Sequence, residues 1–76
     1  MEQEKIGKFI RDIRVKNDLT QKEFADKFGV TYQAVSKWEN GKNLPDINIL
    51  KDICSLYGVS LDEVLNGNKN DDKKNN

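Results

Sequence analysis

The chain has no histidine, one cysteine and one proline, and its formal charges cancel. Each shortage removes a class of protein. With Cys54 alone, no intramolecular disulfide can form, and without histidine the usual Cys/His spacings for structural zinc are absent. The fold must therefore stand without staples or metal, as expected of a protein in a reducing compartment. No apolar run approaches the ~20 residues that cross a bilayer. The start, MEQEKI, mixes acid and base where a secretory leader would place a basic stretch before an apolar one. A cytoplasmic protein without membrane association is expected. No glycine-rich phosphate loop is present, and no nucleophile has a histidine to activate it, which argues against an enzyme and against a cofactor. Zero net charge argues against coating nucleic acid or anionic lipid by bulk attraction, yet leaves a local basic face open. From Asp46 to Leu65 the charges are mostly negative, so the positive ones gather in the N-terminal part and the tail.

What is present is helical patterning. A chain of 76 residues can bury one small core. Ile6, Phe9, Ile10 and Ile13 fall at i, i+3, i+4 and i+7, predicting an amphipathic helix over 3–16. Asn17 and Asp18 tolerate the left-handed backbone that ends it, and Leu19 can fold back as an apolar anchor. Thr20 and Glu23 form a capping box for a second helix that Gly29 stops. Thr31 caps a third, running through Trp38 to Asn40 and ending at Gly41. Pro45 holds Leu44 extended and Asp46 caps a fourth, whose stripe is Leu50, Ile53, Cys54 and Tyr57 before Gly58. Ser60 and Glu63 box a short fifth helix, with Leu61, Val64 and Leu65 inward and Gly67 as its stop. No segment alternates with period two, so the fold class is all-α with five helices and no sheet. Residues 1–67 form one domain; 68–76 carry no apolar residue and read as a disordered polar tail or a truncated linker.

The segment 21–40 is stricter than two helices in succession. Ala25 is small where the next helix would cross, Gly29 supplies a sharp turn, and Val30, Val35 and Trp38 give apolar anchors. Two short helices meeting steeply need that combination, which is the helix-turn-helix pattern. At about 100° per residue, Gln33, Ser36, Lys37 and Asn40 share one side of the third helix with Tyr32, while Ala34, Val35 and Trp38 take the other. The polar side offers donors, acceptors and an aromatic ring, with a positive charge and no negative one. A merely solvated face would mix opposite charges at i, i+4, as Lys22 and Asp26 do on the second helix.

The run LTQKEFADKFGVTYQAVSKWENGK, residues 19–42, resembles the helix-turn-helix of phage Cro and C1 repressors and of the related xenobiotic-response-element (XRE) regulators of bacteria. LPD at 44–46 and YGVSLDEVL at 57–65 are similar to the fourth and fifth helices of that lambda-repressor-like fold, so the likeness runs from Ile6 to Gly67. The resemblance implies a sequence-specific DNA-binding transcriptional regulator, a repressor, of bacterial or phage origin. It implies that Thr31, Tyr32, Gln33, Ser36 and Lys37 face the major groove. Gln21 would contact a phosphate with help from the helix N-terminus, and Asn40, Lys42 and Asn43 would clamp the neighbouring backbone. Arg14 and Glu39 would pair to tie the first helix to the recognition helix.

The chemistry of these side chains suits those roles. Glutamine donates and accepts at once, matching the N6 and N7 edge of adenine; lysine matches O6 and N7 of guanine; the Thr31 methyl can meet a thymine methyl. Gln33 and Lys37 are the foremost base readers. The face is poorer in arginine than many relatives, and the loop after Gly41 offers only Lys42 before Leu44 and Pro45. A single subunit would then make few phosphate contacts, so a homodimer on an inverted repeat is expected, with half-sites about 34 Å apart, assembled on DNA or through a C-terminal domain or protein partner. The competing reading is a helix-turn-helix protein-interaction module, antitoxin-like or adaptor, which would carry exposed apolar anchors on the third helix. Trp38 reads as core and not as a base-stacking platform, and Cys54 as a small buried thiol. Ile47 and Ile49 lie off the main stripe, as spare core contacts or as a dimer surface.

Overall fold

A computed structural model describes residues 2–66, of which the side chains of Glu2 and Asn66 are excepted. The tail at 68–76 and the stop at Gly67 lie outside the described residues. Five helices follow in order: α1 Glu2–Lys16, α2 Gln21–Phe28, α3 Tyr32–Glu39, α4 Ile47–Tyr57 and α5 Leu61–Asn66. Among the described residues there is no strand.

Side-chain caps set the boundaries. The Thr20 hydroxyl accepts from the Glu23 N–H at 3.0 Å while the Glu23 carboxylate accepts from the Thr20 N–H at 2.8 Å, the reciprocal box that starts α2. Ser60 and Glu63 repeat it at α5 with the same two lengths, and Asp46 accepts from the Asn48 N–H at 2.8 Å to open α4. Helix α1 ends in a Schellman turn. Asp18 takes φ 59°, the Leu19 N–H donates to the Arg14 carbonyl at 3.1 Å, and the Asp18 N–H to that of Val15 at 3.0 Å.

The stripe of α1 (Ile6, Phe9, Ile10, Ile13) meets Phe24 and Ala25 of α2, Val35 and Trp38 of α3, Leu50 and Ile53 of α4, and Val64 of α5 in one buried core. Each of the valine, leucine, isoleucine and phenylalanine side chains among them contributes about 1.5–3 kcal/mol by leaving water. Trp38, at 5 % exposure, is a core residue, so it offers no stacking platform. Ile49 packs against the core whereas Ile47 stays exposed, so the two isoleucines part company. Cys54 is half-buried and not enclosed.

Leu65 departs from the expected pattern: it is 42 % exposed, while Val64 is fully buried and Leu61 partly so. On a helix of six residues the buried stripe is narrow. With Val64 at its centre, Leu61 sits about 60° away and Leu65 about 100° away, at the solvent border.

Candidate nucleic-acid interface

Helices α2 and α3 pack through Ala25 and Val35, at 1 % and 0 % exposure. The three residues between them make a sharp turn because Gly29 adopts φ 68° and donates its N–H to the Ala25 carbonyl. A side chain with a Cβ would be strained in that conformation. Val30 then fills the angle between the helices, and Thr31 begins α3 with its hydroxyl accepting from the Ala34 N–H at 3.1 Å. The result is a helix-turn-helix whose second helix turns Tyr32, Gln33 and Lys37 outward as exposed side chains.

These side chains differ in what they have left to offer. Thr31 is exposed, but its oxygen already caps α3, so its methyl and its O–H proton remain. Ser36 is half-buried and within 3.5 Å of the Asn40 amide nitrogen, a long contact that holds both near the end of the helix. Among the described residues the side-chain polar groups of Gln33 and Lys37 make no hydrogen bond, and they are the more available pair. Half of the Tyr32 surface is open.

The loop after α3 folds back on it. The N–H groups of Lys42 and Asn43 both donate to the Lys37 carbonyl, at 2.9 and 3.4 Å, which places both exposed side chains beside the C-terminal end of the outward face.

The negative charge of α3 is hidden. The Glu39 side chain is 4 % exposed and accepts from Arg14 Nε at 2.7 Å and Arg14 Nη2 at 3.0 Å, a bidentate pair. Gln21 Nε2 adds a third bond to the same carboxylate at 3.1 Å, and Arg14 Nη1 donates to the Leu19 carbonyl at 2.8 Å. Its hydrogen bond to Glu39 holds the Arg14 guanidinium above its ordinary range, against the opposing effect of burial. The Glu39 carboxylate therefore joins the end of α1, the start of α2 and the end of α3, and Arg14 ties in the α1–α2 turn, leaving Lys37 as the formal charge on the outward face of α3.

The family resemblance implied the Arg14–Glu39 pair but did not give Gln21 as its third member. No periodicity links residues 18 apart; only the crossing of α2 and α3 does. In the described structure Gln21 points one amide N–H inward, so what an anion would meet there is its second amide hydrogen and the free first-turn N–H groups of α2. Among the described residues no group of His, Cys, Asp or Glu is placed to hold a metal ion, and no helix is long and apolar enough to cross a membrane.

Capped helices, a glycine turn and an outward polar face define a helix-turn-helix domain. Residues 10–64 match the family model described as Helix-turn-helix, and the chain belongs to the Cro/C1-type, or XRE, family of helix-turn-helix regulators. The chain is 38 % identical over 58 residues to the HTH-type transcriptional activator BcrR of Enterococcus faecalis, covering 76 % of this chain and 28 % of that protein. It is 34 % identical over 64 residues to Antitoxin PezA of Streptococcus pneumoniae, covering 84 % and 40 %. With the cryptic phage CTXphi transcriptional repressor RstR of Vibrio cholerae the identity is 34 % over 56 residues, covering 74 % and 50 %. The chain thus spans half or less of the length of each of these three relatives.

Proposed function

We propose that this chain is a sequence-specific, double-stranded-DNA-binding transcriptional regulator that inserts the helix starting at Tyr32 into the major groove and represses by occluding polymerase. The observation that carries this is the separation of charge on α3. Glu39 is turned inward and neutralised by Arg14, while Gln33 and Lys37 are free outside. Gln33 and Lys37 read bases first, with Thr31, Tyr32 and Ser36 beside them; Gln21, Asn40, Lys42 and Asn43 hold the backbone. The protein works in the cytoplasm as a homodimer on an inverted repeat, with Ile47 available to a second copy, and it binds rather than catalyses. Relatives that include an activator and a repressor support the regulatory role.

The test is selection of bound sequences from a random duplex library at fixed salt. An inverted repeat with half-sites about one helical turn apart is expected. Gln33→Ala and Lys37→Ala should each weaken the selected site by about 1–3 kcal/mol and relax base preference at one position. Equal weakening on selected and random duplexes would remove both residues from base reading.

The similarity to an antitoxin favours a second reading, a protein-binding module. Its requirement is an apolar anchor on the outer face of α3, where only the ring of Tyr32 is offered among polar neighbours. Failure to enrich any duplex would promote it.

A further inference from the structure

Arg14 tethers α3 through long side chains, but a second contact between α1 and α3 involves the backbone itself. Gly7 is buried on the side of α1 facing α3. A Cβ added there would run into the Trp38 carbonyl oxygen and lie 3.1 Å from the Trp38 carbonyl carbon and 3.3 Å from that of Glu39. None of these atoms can rotate aside. One turn earlier in α1, Glu4 lies against Gly41, which has φ 73°; a Cβ at Gly41 would meet Glu4 Cγ at 2.9 Å and Cα at 3.3 Å. The two contacts are linked, because the Trp38 carbonyl beneath Gly7 also accepts the Gly41 N–H at 3.1 Å.

We propose that Gly7 and Gly41 form a backbone seat that fixes how far the recognition helix stands out from α1, and so act as positioning residues for base recognition. The proposal rests on the DNA-reading function above. A side-chain tether such as Arg14–Glu39 can absorb a shift by changing rotamers. The Gly7 backbone seated on the Trp38 main chain cannot, because close-packed atoms leave no slack, and Gly41 adds a close approach to the Glu4 Cγ and Cα. A methyl group at position 7 forces the two helices to part by more than an ångström before ordinary contact distance is restored. Bonds from Gln33 and Lys37 to base edges tolerate about half that displacement. Flexible lysine contacts with phosphates tolerate more, so the seat separates specific from non-specific binding.

The test compares affinity for the selected duplex with affinity for a random duplex of equal length at fixed salt, each corrected for the folded fraction measured by circular dichroism. Gly7→Ala is expected to bind the selected duplex at least tenfold more weakly and the random duplex within twofold of the unsubstituted chain. A folded Gly7→Ala with the original ratio overturns the proposal, as does an equal fall on both duplexes. Should Gly7→Ala leave no folded protein, Gly41→Asn decides. Asparagine accepts a positive φ, and the closest atom its Cβ meets is the side-chain Cγ of Glu4 at 2.9 Å, with the Glu4 Cα behind it at 3.3 Å. Its selected-site affinity should drop at least threefold and recover when Glu4→Ala removes the obstructing Cγ. An unaltered ratio in Gly41→Asn, or no recovery in the double variant, overturns the proposal. If the unsubstituted chain prefers no duplex, the DNA reading falls and takes the seat with it; if it discriminates and the variants discriminate equally, the seat alone falls.

Discussion

Replacing Arg14 by alanine removes three hydrogen bonds at once, two to Glu39 and one to the Leu19 carbonyl. The larger effect is on what stays behind: a carboxylate only 4 % exposed, keeping a single bond from Gln21. Breaking a buried pair from one side costs about 3–5 kcal/mol, because the stranded charge has lost its hydration and its partner. A chain of 76 residues holds about 4–11 kcal/mol in total, so Arg14→Ala should sit near the edge of unfolding. Glu39→Ala should cost somewhat less. The guanidinium it leaves is more exposed, at 14 %, and still has the Leu19 carbonyl. The double variant Arg14→Ala/Glu39→Ala strands neither charge and should be less destabilised than the sum of the singles by about 2–3 kcal/mol. Urea denaturation of the four proteins at low temperature, followed by circular dichroism, gives the coupling directly. Additivity to within about 0.5 kcal/mol would mean the pair behaves as a surface contact, and the account of Glu39 as a buried, neutralised charge would be wrong.

Other expectations follow from single groups. The Tyr57 hydroxyl is buried with no hydrogen-bond partner among the described residues, while its ring stacks on Phe24 at 6.1 Å. Tyr57→Phe keeps the stacking and deletes the unsatisfied group, so stability should rise by about 1 kcal/mol, or about 4–8 °C in melting temperature; a loss would show that the hydroxyl is satisfied in solution. Burial pushes the Tyr57 phenol above its ordinary 10.0, and burial with the nearby Glu63 charge pushes the Cys54 thiol above 9.0. Both groups then hold their protons longer when folded than when unfolded, so stability is complete below pH 9 and falls as pH rises beyond it. Tyr57→Phe should remove the upper part of that fall, and a stability curve flat from pH 8 to 11 would refute the assignment. Cys54 should alkylate at pH 8 about tenfold more slowly in the folded chain than in urea, and equal rates would show it to be open and reactive. Lys42→Ala should weaken binding to all duplexes alike and reduce the salt slope by about one; an unchanged slope would remove Lys42 from the phosphate contacts.

The sequence by itself determined the five helices and most of the face assignments, because both are local properties. Capping boxes at Thr20 and Ser60 and the i, i+3, i+4, i+7 spacing of α1 act within one or two turns, and so does the division of α3 into Val35 and Trp38 inside, Gln33 and Lys37 outside. Leu65 was misplaced because a six-residue helix has a stripe too narrow for its pattern to define. What only the tertiary structure decided depends on how helices cross. Gln21 becomes the third partner of Glu39, Ile47 and Ile49 separate into surface and core, and Gly7 comes to rest beneath the Trp38 carbonyl. These contacts join residues 18 or more positions apart, or turn on small differences in burial. Their physical basis is close approach between elements, which a one-dimensional pattern of polar and apolar residues does not encode.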